Sequence, residues 1–223
     1  MSASTIAAKS KPTELRLAKV AETHPEANPS KIQEVVRRAF MTLQEVWQSR
    51  NYSAMAPLVF PDLRREHEQQ IQSLIRNHEI NRIENPQISV VDVVHLLWFD
   101  DSEKRQFSVL ISASVCDYYV NDRNNRFTRG SKSPAPFQEF WTFQWHSGAW
   151  LLREIEQVGD SDLLGQPNII QVMTEEERKG ASNEVYVGGS TSKVIRVVSA
   201  AGSSYSAGGW NEKEMKERAR LTA

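Results

Sequence analysis

The sequence predicts an α+β domain with N-terminal helices packed on a strongly curved antiparallel sheet of about four strands. Three observations predict it. Apolar residues recur at helical spacing over 32–47 and again over 63–75. From Pro86 the period drops to two and β-branched residues take over. The stretch "FQEFWTFQWHSGAWLLREIEQ" (137–157) then reads as a Trp-rich hairpin. Helices first and strands after is the order of a segregated α+β fold.

Residues 1–29 are small, polar and proline-punctuated around "TELRLAKVAE" (13–22), and read as a flexible arm with one short helix. The clearest helix is "SKIQEVVRRAFMTLQEVWQSRN", with Ser30 and Gln33 as a capping box. Its stripe is Ile32, Val35, Val36, Ala39, Phe40, Leu43, Val46 and Trp47. A second helix starts at Pro61-Asp62, carries Leu63, His67, Ile71, Leu74 and Ile75 on one side, and stops at "NRIENP" (81–86). "QISVVDVVHLLWF" (87–99) is an apolar strand, and "QFSVLISASVCDYYV" (106–120) alternates apolar and serine positions. "NDRNNRFTRGSKSPA" (121–135) reads as a polar loop. A two-residue turn at Ser147-Gly148 pairs Trp145 with Trp150 and His146 with Ala149, and the strands end near Val158. Residues 159–223, Gly/Ser-rich at 200–209 and charged at 211–220, read as a low-order extension holding one strand-like run, "KVIRVV" (193–198).

Composition narrows function by exclusion. A formal charge of −1 gives no global attraction to phosphate backbones, so a nucleic-acid role requires a local basic patch, and no nucleic-acid partner is predicted. One cysteine, Cys116, rules out an internal disulfide and a multi-cysteine zinc site, and it reads as a buried structural thiol. The N-terminus has no apolar h-region, and no run approaches the eighteen apolar residues a spanning helix needs. Nucleophile-elbow, phosphate-loop, dinucleotide and zincin signatures are all lacking. The five histidines share no ligand spacing, so neither a metal nor a cofactor is expected.

Acids inside strands are the remaining chemical candidates. In the simplest hairpin register, Trp145, Phe143, Trp141 and Glu139 share a face with Trp150, Leu152, Glu154 and Glu156, which sets Glu139 opposite Glu156. Facing carboxylates repel, so the pair reads either as a raised-pKa acid at a pocket mouth or as a rim paired with arginines. Asp117 carries the same two readings. Period-2 parity puts Asp92 and His95 on opposite faces, which weakens an acid–base enzyme using them. The first fifty residues hold eight Lys/Arg against five Glu, a basic surface ahead of the core.

Several stretches together resemble a known family. "AFMTLQEVWQSRNYSAMAPLV" looks like its first helix and following turn, and "CDYYV" with a loop ending at Gly130 looks like its central strand. "FQEFWTFQWHSGAWLLREIEQ" resembles its signature, aromatic-Trp-Thr-Phe, a Gly turn, then Trp-x-Leu-x-x-Ile-x-Gln. The family is the Tim44-like domain, of the nuclear-transport-factor-two-like superfamily with its cystatin-like cone, and the resemblance spans roughly residues 30–158. It implies a non-enzymatic, membrane-peripheral binding or scaffold domain with no catalytic residues. Implied partners are an anionic, cardiolipin-like membrane surface and membrane-protein assembly or translocation components, reached from the cytoplasmic or matrix side. A soluble part of a longer membrane-anchored protein is the alternative. It also implies an apolar pocket for an acyl chain or apolar peptide. Candidate lining residues are Phe40, Leu43, Trp47, Trp98, Trp141, Phe143, Trp150 and Leu152, with Asp117, Glu139 and Glu154 as polar ones. Lys11, Arg16, Lys19, Arg37 and Arg38 are the candidate membrane or partner contacts. A small cone-fold isomerase or dehydratase, using acids in that pocket, is the competing function.

Overall fold

The computed structural model describes residues 1–171 and two short strands, Tyr205–Ser206 and Trp210–Asn211. "KVIRVV" (193–198) and all of the 200–220 stretch outside those two strands lie beyond the described residues. Three helices, α1 (Ala3–Ala21), α2 (Pro29–Ser49) and α3 (Pro61–Arg76), come first. The strands β1 (Glu79–Phe99), β2 (Gln106–Asn121), β3 (Phe127–His146), β4 (Ala149–Gln157) and β5 (Ile169–Gln171) follow. They form one curled sheet in the order β4-β3-β2-β1-β5. Its first four strands are antiparallel, as expected, and β5 adds a short parallel pairing along Leu97–Phe99.

The sheet curls around α2, whose stripe is buried as its spacing requires: Ile32, Val36, Phe40 and Leu43 retain no accessible surface. The helix starts two residues earlier than the capping box suggests. Asn28 Oδ1 accepts from the amides of Ser30 and Lys31, and Pro29 fills the first turn, where its missing N–H costs nothing. Gln33 instead donates through Nε2 to the Val91 carbonyl at 3.0 Å.

Two segments expected to be loose are packed. Residues 3–21 form a 19-residue helix rather than an arm, burying Ile6, Ser10, Thr13, Leu17 and Val20 along one face. Two of those five, Ser10 and Thr13, are polar, so the stripe is faint in sequence. The N-terminal half of α1 covers the outer face of the sheet, where Ile6 meets Val94, Leu110, Phe140 and Leu163. Its C-terminal half joins the inner core through Leu17 and Val20. Residues 159–171 also pack: Leu163 is buried in that outer cluster, and Asn168 Oδ1 accepts from the Leu96 amide.

β1 begins eight residues before the change of period, because "EINRIENP" pairs with the end of β2 from Glu79↔Asn121 to Glu84↔Cys116. Its open edge is capped by side chains, with Gln48 accepting from the Ile83 amide and Gln33 and Thr13 donating to the Val91 and Val94 carbonyls. The loop expected over 121–135 shrinks to a turn, since β3 starts at Phe127. Gly130 permits that path with φ +97°, and a Cβ there would meet Asp117 O at 2.5 Å and Tyr118 Cα at 2.6 Å.

Candidate functional site

The eight residues proposed to line a pocket occupy a packed core. A side chain bordering a space that holds even one water keeps some accessible area. Phe40, Leu43, Trp98, Trp141, Phe143 and Leu152 keep 0%, Trp47 2% and Trp150 7%. Their rings fill one another's gaps: Phe40 lies 5.7 Å from Trp141, and Trp98 6.1 Å from Trp150. Phe107 stacks on Phe143 at 5.0 Å with a 12° interplanar angle. The aromatic wall of the hairpin therefore faces side chains.

The hairpin itself forms in the expected register at its turn, with Trp145↔Trp150 and His146↔Ala149. Ser147 and Gly148 both take positive φ, 49° and 88°, as a two-residue turn demands. Farther on a bulge intervenes. Phe143 pairs with Leu152 but Thr142 with Glu154, so Arg153 is the extra residue and every later β4 side chain changes face. Ile155 now points into the core opposite Trp141, while Glu154 and Glu156 move to the face of Thr142 and Phe140. Glu139 consequently sits opposite Gln157, not Glu156. It is fully buried, accepting from Trp141 Nε1 at 3.1 Å and Gln157 Nε2 at 3.3 Å.

The polar candidates thus do not converge. Glu139 lies in the inner core, Glu154 on the outer face, and Asp117 at the far end of β2. Asp117 accepts from Asn81 Nδ2 at 2.7 Å, and burial pushes its carboxyl up to about 6 against the opposing pull of Asn81 and Arg129. Glu156, pushed to about 7 by burial and then by Glu154, stands in an acidic group with Asp160 and Asp162. A second bulge, at Val94, brings His95 onto the same outer face as Asp92, against the parity expectation. Both are engaged structurally: Ser10 Oγ donates to Asp92, and His95 Nε2 contacts the Pro167 carbonyl at 3.1 Å. Burial holds the His95 imidazole below its ordinary range. Another buried imidazole, His67, is pulled down to about 4 by burial and shares a 2.7 Å hydrogen bond with the Tyr52 hydroxyl. Among the described residues no three His, Cys, Asp or Glu side chains gather as a metal site.

The open feature lies instead between α1, the start of α2 and β1. A cleft of about 630 Å³ is lined by Leu15, Ala18, Pro29, Gln33 and Val93, together with Lys11 and Glu14. Leu15 is 74% exposed on the outward side of α1 and borders this cleft. Lys11 and Lys19 stand one turn to either side of it, on the same face. Lys19 pairs with Glu22 at 2.7 Å, and Arg16, on the neighbouring flank, donates to the Pro12 carbonyl. On α2, Arg37 and Arg38 are exposed, with Met41 beside them at 46%. All five cations named as contacts are therefore at the surface on two adjacent helices. Leu15 and the cleft were not among the sequence candidates; the i, i+4, i+8 series Lys11-Leu15-Lys19 was the available signal.

The chain thus forms a helix-lined, curled half-barrel with a packed interior and carries its apolar–basic feature on the surface. The chain belongs to the Tim44-like domain family, whose model matches residues 13–157. The match includes the second half of α1, so the family unit takes in part of what the sequence presented as an arm. A comparison with curated proteins finds no match. Among solved structures, the intermembrane space region of the chloroplast protein ARC6 is similar at 8% identity and a TM-score of 0.44, over 60% of this chain and 98% of that one. No helix of the described residues is long and apolar enough to cross a membrane.

Proposed function

We propose that this domain is a non-enzymatic, membrane-peripheral scaffold that rests on an anionic lipid surface through α1 and α2 and serves membrane-protein assembly or translocation. Membership of the Tim44-like family supports membrane association in general. The observation that carries the reading is Leu15, exposed at 74% between Lys11 and Lys19 beside an apolar cleft. In an interface the leucine enters the acyl boundary while the lysines stay at the headgroups. Burying one leucine supplies roughly 1.5–3 kcal/mol, and each cation near the surface about 1 kcal/mol. With two or three cations engaged the sum is about 5 kcal/mol, a reversible attachment. The cleft beside Leu15, rather than the filled core, is the place for an acyl chain or an apolar peptide segment.

Sedimentation with vesicles tests the reading. Vesicles containing cardiolipin should carry the protein down, pure phosphatidylcholine vesicles should not, and about 0.5 M salt should release it. Leu15→Glu should abolish binding while leaving the melting temperature unchanged, since the side chain touches little of the fold. Equal recovery with neutral vesicles, or none with any lipid, would overturn it.

A further inference from the structure

The end of the sheet remote from the Trp-rich turn carries a second surface of different character. There the start of β1 meets the end of β2 and the start of β3. Six cations, Arg50, Arg82, Arg123, Arg126, Arg129 and Lys132, face three surface acids, Glu79, Glu84 and Asp122. This is a local surplus in a chain whose formal charge is −1, and it is the basic patch that the composition alone does not reveal. Arg50 is spent on Asp122 at 2.8 Å and Arg129 on Glu79 at 2.9 Å. Among the described residues Arg82, Arg123, Arg126 and Lys132 form no ion pair with an acid.

Aromatic rings interleave with these cations. Phe127 is 49% exposed on a strand, with Tyr118 at 6.4 Å and an interplanar angle of 30°. Lys132 Nζ lies 5.2 Å from the Tyr118 ring and 5.8 Å from Phe127. A cleft of about 400 Å³ opens beside them, with Arg82, Glu84, Tyr118, Asn125 and Lys132 in its wall, the Glu84 carboxylate accepting from the Tyr118 hydroxyl at 2.6 Å. Gly130 sets this arrangement, because only a residue without Cβ lets β3 lie so close on β2 at Asp117–Tyr118.

We propose that this surface binds single-stranded RNA, with Phe127 stacking on an unpaired base and Arg82, Arg126 and Lys132 holding the phosphates. Cations alone would suit any polyanion. A half-exposed ring on a strand, beside a cleft with amide and cationic donors, suits a splayed base. An acidic peptide has no use for the ring. A membrane is disfavoured by geometry: the projecting turn is Asp122-Arg123-Asn124-Asn125, wholly polar, and the rings lie behind it on strands. Duplexes are disfavoured because their bases are already stacked. Single-stranded RNA is the form in which unpaired bases are most available to a protein.

The test is fluorescence anisotropy with a labelled uridine 20-mer and the whole chain. Three phosphate contacts on a single strand give a log–log salt slope near −2. Binding should therefore weaken about 20-fold between 50 and 200 mM salt. Phe127→Ala should lose roughly 5- to 100-fold, as for loss of one base–aromatic stack, and Phe127→Tyr should restore it. Arg126→Glu with Lys132→Glu should abolish binding, yet leave vesicle binding and the melting temperature unchanged. The proposal fails if the 20-mer does not bind at tens of micromolar protein in 50 mM salt. It also fails if polyglutamate competes equally and Phe127→Ala is silent, or if the double charge reversal releases the protein from anionic vesicles instead. The surface is distinct from the α1–α2 face, so either reading can fail without the other.

Discussion

Replacing Asp117 by Asn should stabilise the domain, and by an amount that depends on pH. Asp117 is 9% exposed, its Oδ1 accepts from Asn81 Nδ2, and its Oδ2 finds no hydrogen-bond donor. Burial raises the carboxyl to about 6 in the native state, against an ordinary value of 3.8 in the unfolded chain. Between those values the native state holds the extra proton, so stability falls as pH rises from about 4 to 6 and the loss persists above. A shift of about two units corresponds to roughly 3 kcal/mol. The amide carries no charge and still accepts from Asn81, whose own Oδ1 also lacks a donor and can take the new N–H₂. Allowing for imperfect geometry, Asp117→Asn should gain on the order of 2 kcal/mol at pH 8 and close to nothing at pH 4. Urea unfolding followed by tryptophan fluorescence, with both proteins at each pH, isolates this difference from every other titrating group. A variant no more stable than the parent at pH 8, or a gain that stays constant to pH 4, would refute the reasoning.

Three further outcomes follow from the same structure. Gly130→Ala adds a Cβ 2.5 Å from Asp117 O at φ +97°, and should cost about 2–4 kcal/mol in urea unfolding. His67, neutral in the fold with its imidazole pulled down to about 4, works in the opposite sense to Asp117. The unfolded chain takes up the proton first, so this group's contribution falls by up to about 3 kcal/mol between pH 6.5 and 4, against the opposite trend from Asp117, and the parent-minus-variant difference for His67→Gln at each pH should show that fall. Trp141→Ala empties a fully buried site packed against Phe40 and strips Glu139 of a donor. It should cost about 3–5 kcal/mol and lower the thermal midpoint correspondingly, whereas an open pocket at this position would tolerate the change.

How far the sequence reached depended on how local each signal was. The α2 stripe and the Ser147-Gly148 turn are encoded within a few residues, and both the helix face and the Trp145↔Trp150 pairing form as read. The faces of Glu154, Glu156 and His95 were not legible, because a bulge at Arg153 or Val94 shifts parity without marking the residue types. The α1 helix was underread for another reason. Its buried face uses Ser10 and Thr13, whose packing is supplied by partners far along the chain: Asp92 for Ser10, and Val94 and Asn168 for Thr13. The basic end of the sheet was hidden because its cations come from the end of α2, β1, the β2–β3 turn and β3, and only the fold gathers them. The filled interior was likewise a tertiary outcome: aromatic spacing shows that a wall exists, but not whether another wall closes on it.

The membrane-facing role of α1 is tested most directly by an environment-sensitive fluorophore placed at position 15. Cys116 is only 4% exposed, so a Leu15→Cys variant can be labelled selectively with a nitrobenzoxadiazole maleimide, and a Phe127→Cys variant serves as the reference at the basic end of the sheet. On adding cardiolipin-containing vesicles, the label at 15 should shift to the blue and brighten as it leaves water, while the label at 127 stays as in buffer. A label at 15 that remains water-exposed on protein sedimented with those vesicles, or a shift at 127 in its place, would contradict the account.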